Sequence, residues 1–502
     1  MFRHIMKGLP IAAVALGVCS GAALAGKAND TLVWATDRES AVADPYYNRT
    51  RELVIIGNTV WDNLLLRNTK TGKYEPNLAK SFKWVDNVTL DFELRDDVKF
   101  HDGSPFGPED VIYTVDFTTN KDHGVVTLKN VDWMKKVEKT GPHSIRIHLD
   151  KPFPAALAYL GQAVPIIKRG HYDSAPMTKE GKPDYAAVKP NGTGPYMITE
   201  VVPGEKIVMK KYDGYHKGGP KGTPQIANLI YRTIKEGNTR IAELLTGGID
   251  WIWDVAEKLN ATGQVTVENA KTLRVSYIAF DVDGSSGNKA FTDLRVRQAF
   301  SHAVNRESIV KNLIGPAAQV VNTPCHPDQT GCVQDVTGYA YDPAKAKALL
   351  KEAGFDKGLE FDIYAYRERE FTEAVISDLA KIGVKAKLNF MQYKALREVA
   401  QKGETAVHHM TWGSYSIPDA SGMAGVFFSG GKDDPANDPK VNELIVKAGN
   451  VTDIEEREKL YKEAFQIISD KAYWLPMFTY AKNYAFNQNL EMTITSDEIP
   501  RF

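Results

Sequence analysis

Glu360-Phe361-Asp362-Ile363-Tyr364-Ala365-Tyr366, then Phe371 to Ile382, then Lys385-Ala386-Lys387-Leu388-Asn389-Phe390 follow one another with short turns between them. The two outer stretches read as strands and the middle one as a helix. A strand, a crossover helix and a second strand pair in parallel, so this unit sets the class as mixed α/β. Just upstream, Asp342-Pro343 places an N-cap and an N1 proline before Ala346, Leu349 and Leu350, and Gly354 ends that helix. Downstream, Asp453 with Glu456 resembles a capping box for the helix carrying Leu460, Phe465, Ile467 and Ile468.

The N-terminal half alternates strands and helices less regularly. Thr31 to Ala35 reads as a buried strand ending in the polar loop Thr36 to Ser40, and Leu53 to Leu66 has helical apolar spacing. Thr89 to Leu94 and Ser144 to Leu149 alternate apolar and polar residues as half-buried strands do. Between them Gly107-Pro108-Glu109-Asp110 opens a helix. Strands are expected at Lys206 to Lys211, Ala227 to Ile234 and Ile249 to Trp253, with a helix at Thr239 to Leu245 ending at Gly247-Gly248. No Pro/Gly-rich linker separates these segments, so the lobes are expected to interweave through more than one crossing.

The chain has 502 residues, 62 Lys+Arg against 63 Asp+Glu and a net charge of −1. That balance shows no basic field for nucleic acid or an anionic membrane. Arg3, His4 and Lys7, the apolar run Ile11 to Val18, and Ala23-Leu24-Ala25 form a secretory signal, with cleavage expected before Gly26. An exported, soluble protein is therefore expected, located in the periplasm. Of the 3 cysteines, Cys19 leaves with the signal. Cys325 and Cys332 remain, and an oxidising compartment lets them bridge across Pro327, Asp328 and Gly331. A metal site on Cys325, His326 and Cys332 is the alternative. It has three ligands and lacks a C-x-x-C pair, so no metal and no cofactor are expected.

Catalytic patterns fail on inspection. Gly284-Ser285-Ser286-Gly287-Asn288 has Asn where a nucleophile elbow needs its last glycine. In Ser429-Gly430-Gly431-Lys432, Asp433 stands where a phosphate loop needs Ser or Thr. His408 and His409 are adjacent and on a strand face opposite ways. Phe100-His101-Asp102-Gly103 reads as a turn with a locally bonded Asp and a left-handed Gly. An exported hydrolase is thus the lesser alternative, and no catalytic residue is assigned.

Four blocks resemble a known family. They are Tyr74-Glu75-Pro76-Asn77-Leu78-Ala79 running on through Leu94 to Phe106 and Glu109-Asp110-Val111; Gly192-Thr193-Gly194-Pro195-Tyr196 with Pro203-Gly204-Glu205; Asp293 to Phe300 with Asn305 to Val310; and Tyr341 to Ala346 with Gly354-Phe355. Together they are similar to the family 5 extracellular solute-binding proteins of ATP-binding-cassette (ABC) importers, which include dipeptide-, oligopeptide- and nickel-binding proteins. The resemblance implies a type II periplasmic-binding-protein fold: two hinged lobes and an extra domain inserted in the first. After the signal peptide, 1–25, lobe I takes residues 26–60, 190–279 and 479–502, the extra domain 61–189, and lobe II 280–478. It also implies capture of a peptide or peptide-like small polar solute, delivered to a membrane permease by a monomer; a metal chelate, opine or sugar is the alternative ligand.

Several residues are candidates for ligand contact. The loop Met410 to Asp419 gathers Trp412, Ser414, Tyr415 and Asp419, where aromatic area and polar groups can hold a ligand. The resemblance implies that Asp419 receives a ligand amine. Arg367 and Arg369 end a strand, where a guanidinium can grip a carboxylate. Trp253 and Asp254 follow the strand after Gly247-Gly248, a place the resemblance assigns to the cleft. Glu39 in the first strand-end loop and Tyr46 complete the set.

Overall fold

The computed structural model describes residues 29–39, 42–48, 50–254, 259 and 262–502, with Tyr415 followed through its backbone only. The expected signal segment, with Cys19, lies outside the described residues. Ten strands join in one sheet. Its order is Val384–Phe390, Leu359–Ala365, Val407–Trp412, Val265–Phe280, Trp474–Asn487, Trp251–Trp253, Thr31–Thr36, Asn228–Thr233, Lys206–Lys211 and Tyr196–Val202. Leu359–Ala365 and Val384–Phe390 pair in parallel, and the helix Arg369–Ala380 crosses between them. At the other end Thr31–Thr36 runs parallel to Asn228–Thr233.

Two long antiparallel strands hold the halves together. Val265–Phe280 and Trp474–Asn487 pair with each other in the middle of the sheet. Trp474–Asn487 also pairs through Tyr484 to Phe486 with Trp251–Trp253, and Val265–Phe280 pairs through Val275 to Phe280 with Val407–Trp412. Their mutual register is irregular between Lys271 and Val275, so the ladder loosens where the halves meet.

A separate four-stranded antiparallel sheet has the order Ala79–Asp86, Thr89–Leu94, Ser144–Leu149, Met134–Gly141. In Ser144–Leu149 the inward residues are Ile145, Ile147 and Leu149, as strand alternation requires. The helix Pro108–Thr119 packs near Met134–Gly141, and the Asp110 carboxylate accepts from the Gly107 amide at its start (2.8 Å). The two aliphatic residues Ile145 and Ile147 are fully buried, each stabilising by roughly 2–3 kcal/mol.

One expected element is shorter than its apolar pattern. The helix begun at Arg51 ends at Val60, and Leu65–Arg67 becomes a strand paired with Tyr74–Pro76. The run of leucines fits either period, and the hairpin partner decides it. The turn Phe100 to Gly103 has Gly103 at φ 85° and the Asp102 carboxylate accepting from the Ser104 amide (3.0 Å). It docks on Gly192 to Gly194: the His101 ring contacts the Gly194 carbonyl (2.9 Å) and accepts from the Gly192 amide (3.2 Å). A Cβ at Gly192 would come within 2.0 Å of the Val60 carbonyl oxygen, which explains the glycine. Cys325 and Cys332 form a disulfide, with Cα atoms 5.8 Å apart. His409 bonds Ser276 and Thr372 while His408 bonds Thr405, so the two rings lie on opposite faces. Among the described residues no helix is long and apolar enough to cross a membrane.

Candidate functional site

The middle of the large sheet gathers acidic and basic side chains from far-apart segments. Trp251–Trp253 is fully buried, and its chain leaves the sheet at Asp254, which has φ 65°. Lys482, on the neighbouring strand Trp474–Asn487, lies with its ammonium 3.9 Å from the Trp253 ring centre and 3.7 Å from the Asp254 carboxylate. Arg367, just past Leu359–Ala365, pairs with Glu368 (3.0 Å), and Tyr480 donates to the same carboxylate (3.2 Å). From Val265–Phe280, Arg274 donates to Thr411 (3.0 Å) and lies 3.7 Å from Glu498. Arg51, which opens the helix Arg51–Val60, pairs with Glu498 (2.7 Å) and donates to Ser416 and to the Asp497 carbonyl. Ser416 donates to that carbonyl as well (2.6 Å), so the C-terminal segment ties the first helix to the 413–420 loop.

Burial and pairing set the charge of each acid. Burial alone would raise the Asp254 carboxyl, but Lys482, Arg367 and Arg38 outweigh it and hold it below its ordinary range. For Glu498 burial is likewise outweighed, by Arg51, Arg274, Lys482 and Arg367, which bring it down to about 2. Glu52 and Glu368 go the other way, raised chiefly by burial. Burial also lowers the Lys482 ammonium. Asp254 stays the most open of the paired groups, its side chain 38 % exposed against 8 % for Lys482 and 13 % for Arg367. An ionised carboxylate and a guanidinium held ready on one face can take an amine and a carboxylate.

Backbone strain concentrates in the same place. Asp254, Glu368 (φ 36°), Ser414 (φ 49°), Ser416 (φ 63°) and Glu498 (φ 60°) all adopt the left-handed region. Each such residue costs of order 1–3 kcal/mol, and such costs cluster at ligand clamps and hinges. Gly413 between them leaves room for charge: a Cβ there would meet the Arg274 guanidinium at 2.9 Å.

The sequence candidates divide into several groups. Arg367, Trp253 and Asp254 come together in the cluster. Trp412 and Asp419 are committed to partners within the fold: the Trp412 indole donates to the Gly422 carbonyl (2.7 Å), and Arg457 grips the Asp419 carboxylate through two bonds (2.8 and 2.6 Å). Ser414 is buried with its hydroxyl unpartnered, and Tyr415 lies outside the described side chains. Arg369 is 56 % exposed and pairs with Glu373, while Glu39 pairs with Lys235 at the surface. Tyr46 is buried, donating to the Pro165 carbonyl (2.7 Å) away from the cluster. Sequence reading passed over Arg51, Glu52, Arg274, Glu368, Tyr480, Lys482 and Glu498. Lys482 carried a signal, a lone charge inside the apolar run Trp474 to Phe486; Glu498 carried none.

The family model described as bacterial extracellular solute-binding proteins, family 5 middle, matches residues 73–434. A heme-binding protein A of Haemophilus influenzae is 30% identical over 437 residues, covering 80% of this chain and 78% of that protein. A dipeptide-binding protein of Escherichia coli is 29% identical over 436 residues, covering 79% of each. In fold, a crystal structure of a dipeptide-binding protein from Pseudoalteromonas, in complex with Met-Leu, superposes with a TM-score of 0.81 at 22% identity, covering 94% of this chain and 98% of that one.

Proposed function

Because the chain belongs to the bacterial extracellular solute-binding proteins of family 5, we propose that it captures a peptide or peptide-like small polar solute and passes it to the membrane permease of an ABC importer. It does so in the periplasm, after residues 1–25 have been removed. One lobe takes residues 26–60, 190–279 and 479–502 and the other 280–478, with 61–189 as an added domain. The lobes close around the solute about the two long central strands, and closure makes the surface the permease reads.

The observation that carries this reading is the mixed-charge cluster. Asp254, ionised and the most open of its groups, takes the amino end, with the raised Glu52 beside it. Arg367 and Lys482 take the carboxylate end. The peptide-binding relatives support a ligand that bears both charges. Asp419, committed to Arg457, braces its loop and leaves the solute to other groups.

The test is mass spectrometry of the small molecule released when purified protein is denatured. A peptide, or another solute with a free amine and a free carboxylate, is expected. A heme, a neutral sugar or a metal chelate recovered in stoichiometric amount would overturn the peptide assignment.

A further inference from the structure

The first helix and the long strand Val265–Phe280 bring two guanidinium groups to one spot. The point that a Cβ would occupy on Gly413 lies 2.9 Å from Arg274 Nη2 and 3.5 Å from Arg51 Nη2. Gly413 itself has φ −105°, which is open to residues with side chains. The guanidinium groups, and not the backbone, therefore account for the missing side chain.

Counter-charge at this spot is short. Glu498 is one carboxylate for two cations, 2.7 Å from Arg51 and 3.7 Å from Arg274. The hydrogen bonds these arginines donate go to neutral oxygens: Arg51 to Ser416 and the Asp497 carbonyl, Arg274 to Thr411. Neither Nη2 atom makes a hydrogen bond to a described residue, and neither is a buried atom, so both reach solvent. Their side chains are 13 % and 14 % exposed. The neighbouring carboxylates are engaged elsewhere, Glu368 by Arg367 and Tyr480, and Glu52 by the Thr36 hydroxyl (3.3 Å).

Thr411 links the spot to the rest of the cluster. Its hydroxyl bonds both Arg274 (3.0 Å) and Tyr366 (2.8 Å), the residue before Arg367. A solute with one amine and one carboxylate would answer Asp254, Arg367 and Lys482 and leave the two arginines at Gly413 with their surplus charge. Guanidinium N–H groups match the oxygens of a carboxylate in geometry as well as in charge. On the reading that a peptide-like solute lies in this cluster, we propose that the solute carries a second acidic group, held by Arg51 and Arg274 beside Gly413, and so binds with a net negative charge. In a peptide that group is an Asp or Glu side chain.

The probe is an equimolar pool of di- and tripeptides in which each member with one Asp or Glu is matched by its Asn or Gln counterpart, nearly equal in size but without the charge. The full protein, freed of copurified solute by unfolding and refolding, is incubated with the pool, and the captured peptides are identified by mass spectrometry. Wild type should hold acidic peptides over their amide counterparts by about tenfold or more. In Arg274→Gln that ratio should fall to near one. Gly413→Ala keeps both arginines and a permitted backbone, yet its Cβ displaces the flexible Arg274 guanidinium, and it should at least halve the ratio. Equal capture of acidic and amide peptides by wild type, or an unchanged ratio in either variant once circular dichroism shows it folded, overturns the second acidic group and leaves the peptide reading standing. Capture of no peptide at all overturns that reading, and the inference with it.

Discussion

At the residue scale, the sharpest distinction lies between acids that are free to meet a solute and acids that are already committed. Asp419 is gripped by an Arg457 guanidinium that is almost fully buried. Asp419→Ala would leave that cation unpaired, and breaking a buried pair costs about 3–5 kcal/mol. Urea unfolding should show that loss, while calorimetric titration of the folded variant gives an affinity close to that of the wild type. Glu498 gives a pH-dependent counterpart. Its folded pKa lies at about 2, below its ordinary 4.5, so its contribution is present above pH 4.5 and is lost as pH falls towards 2. The shift corresponds to about 3 kcal/mol. Unfolding curves of wild type and Glu498→Gln should therefore differ at neutral pH and converge near pH 2.

At the element scale, the disulfide tests how far a local closure supports the whole. Cys325 and Cys332 are separated by 7 positions, and a loop that short contributes roughly 2.5 kcal/mol in the chain-entropy model. Reduction should lower the thermal midpoint by a few degrees and leave the protein folded, as circular dichroism with and without dithiothreitol would show. Much of the fold was legible at this scale because local signals agreed with one another. Asp342 accepts from the Lys345 amide and Asp453 from the Glu456 amide, as their spacing to the following helix implies. The strand-helix-strand order around Phe371 left only parallel pairing. Leu64 to Leu66 misled because an apolar run has no period of its own, and its strand partner, Tyr74–Pro76, comes from a separate segment.

At the scale of the whole molecule, the candidate site is built from contacts that span the chain, and that is why only part of it could be read. Arg367 and Asp254 could be picked out, each sitting at a strand end. Arg274, Lys482 and Glu498 acquire meaning only when the two long strands and the C-terminal segment bring them beside Arg51 and Glu368. The loosened register between Lys271 and Val275 and the left-handed Asp254, Glu368, Ser414, Ser416 and Glu498 occupy that same junction. A binding free energy that favours the closed arrangement can be drawn against this strain, shifting the population of lobes towards closure. The central claim is that opposite charges on the solute are read at this junction by Asp254 and Arg367. It is tested most directly by calorimetric titration of the released solute, together with its N-acetylated and C-amidated forms, into wild type, Asp254→Asn and Arg367→Ala. The free solute should bind wild type, each blocked form should lose about 2 kcal/mol or more, as truncated buried charge pairs do, and each variant should be insensitive to blocking the end it no longer reads. Equal affinity of wild type for the free and blocked forms would contradict the account.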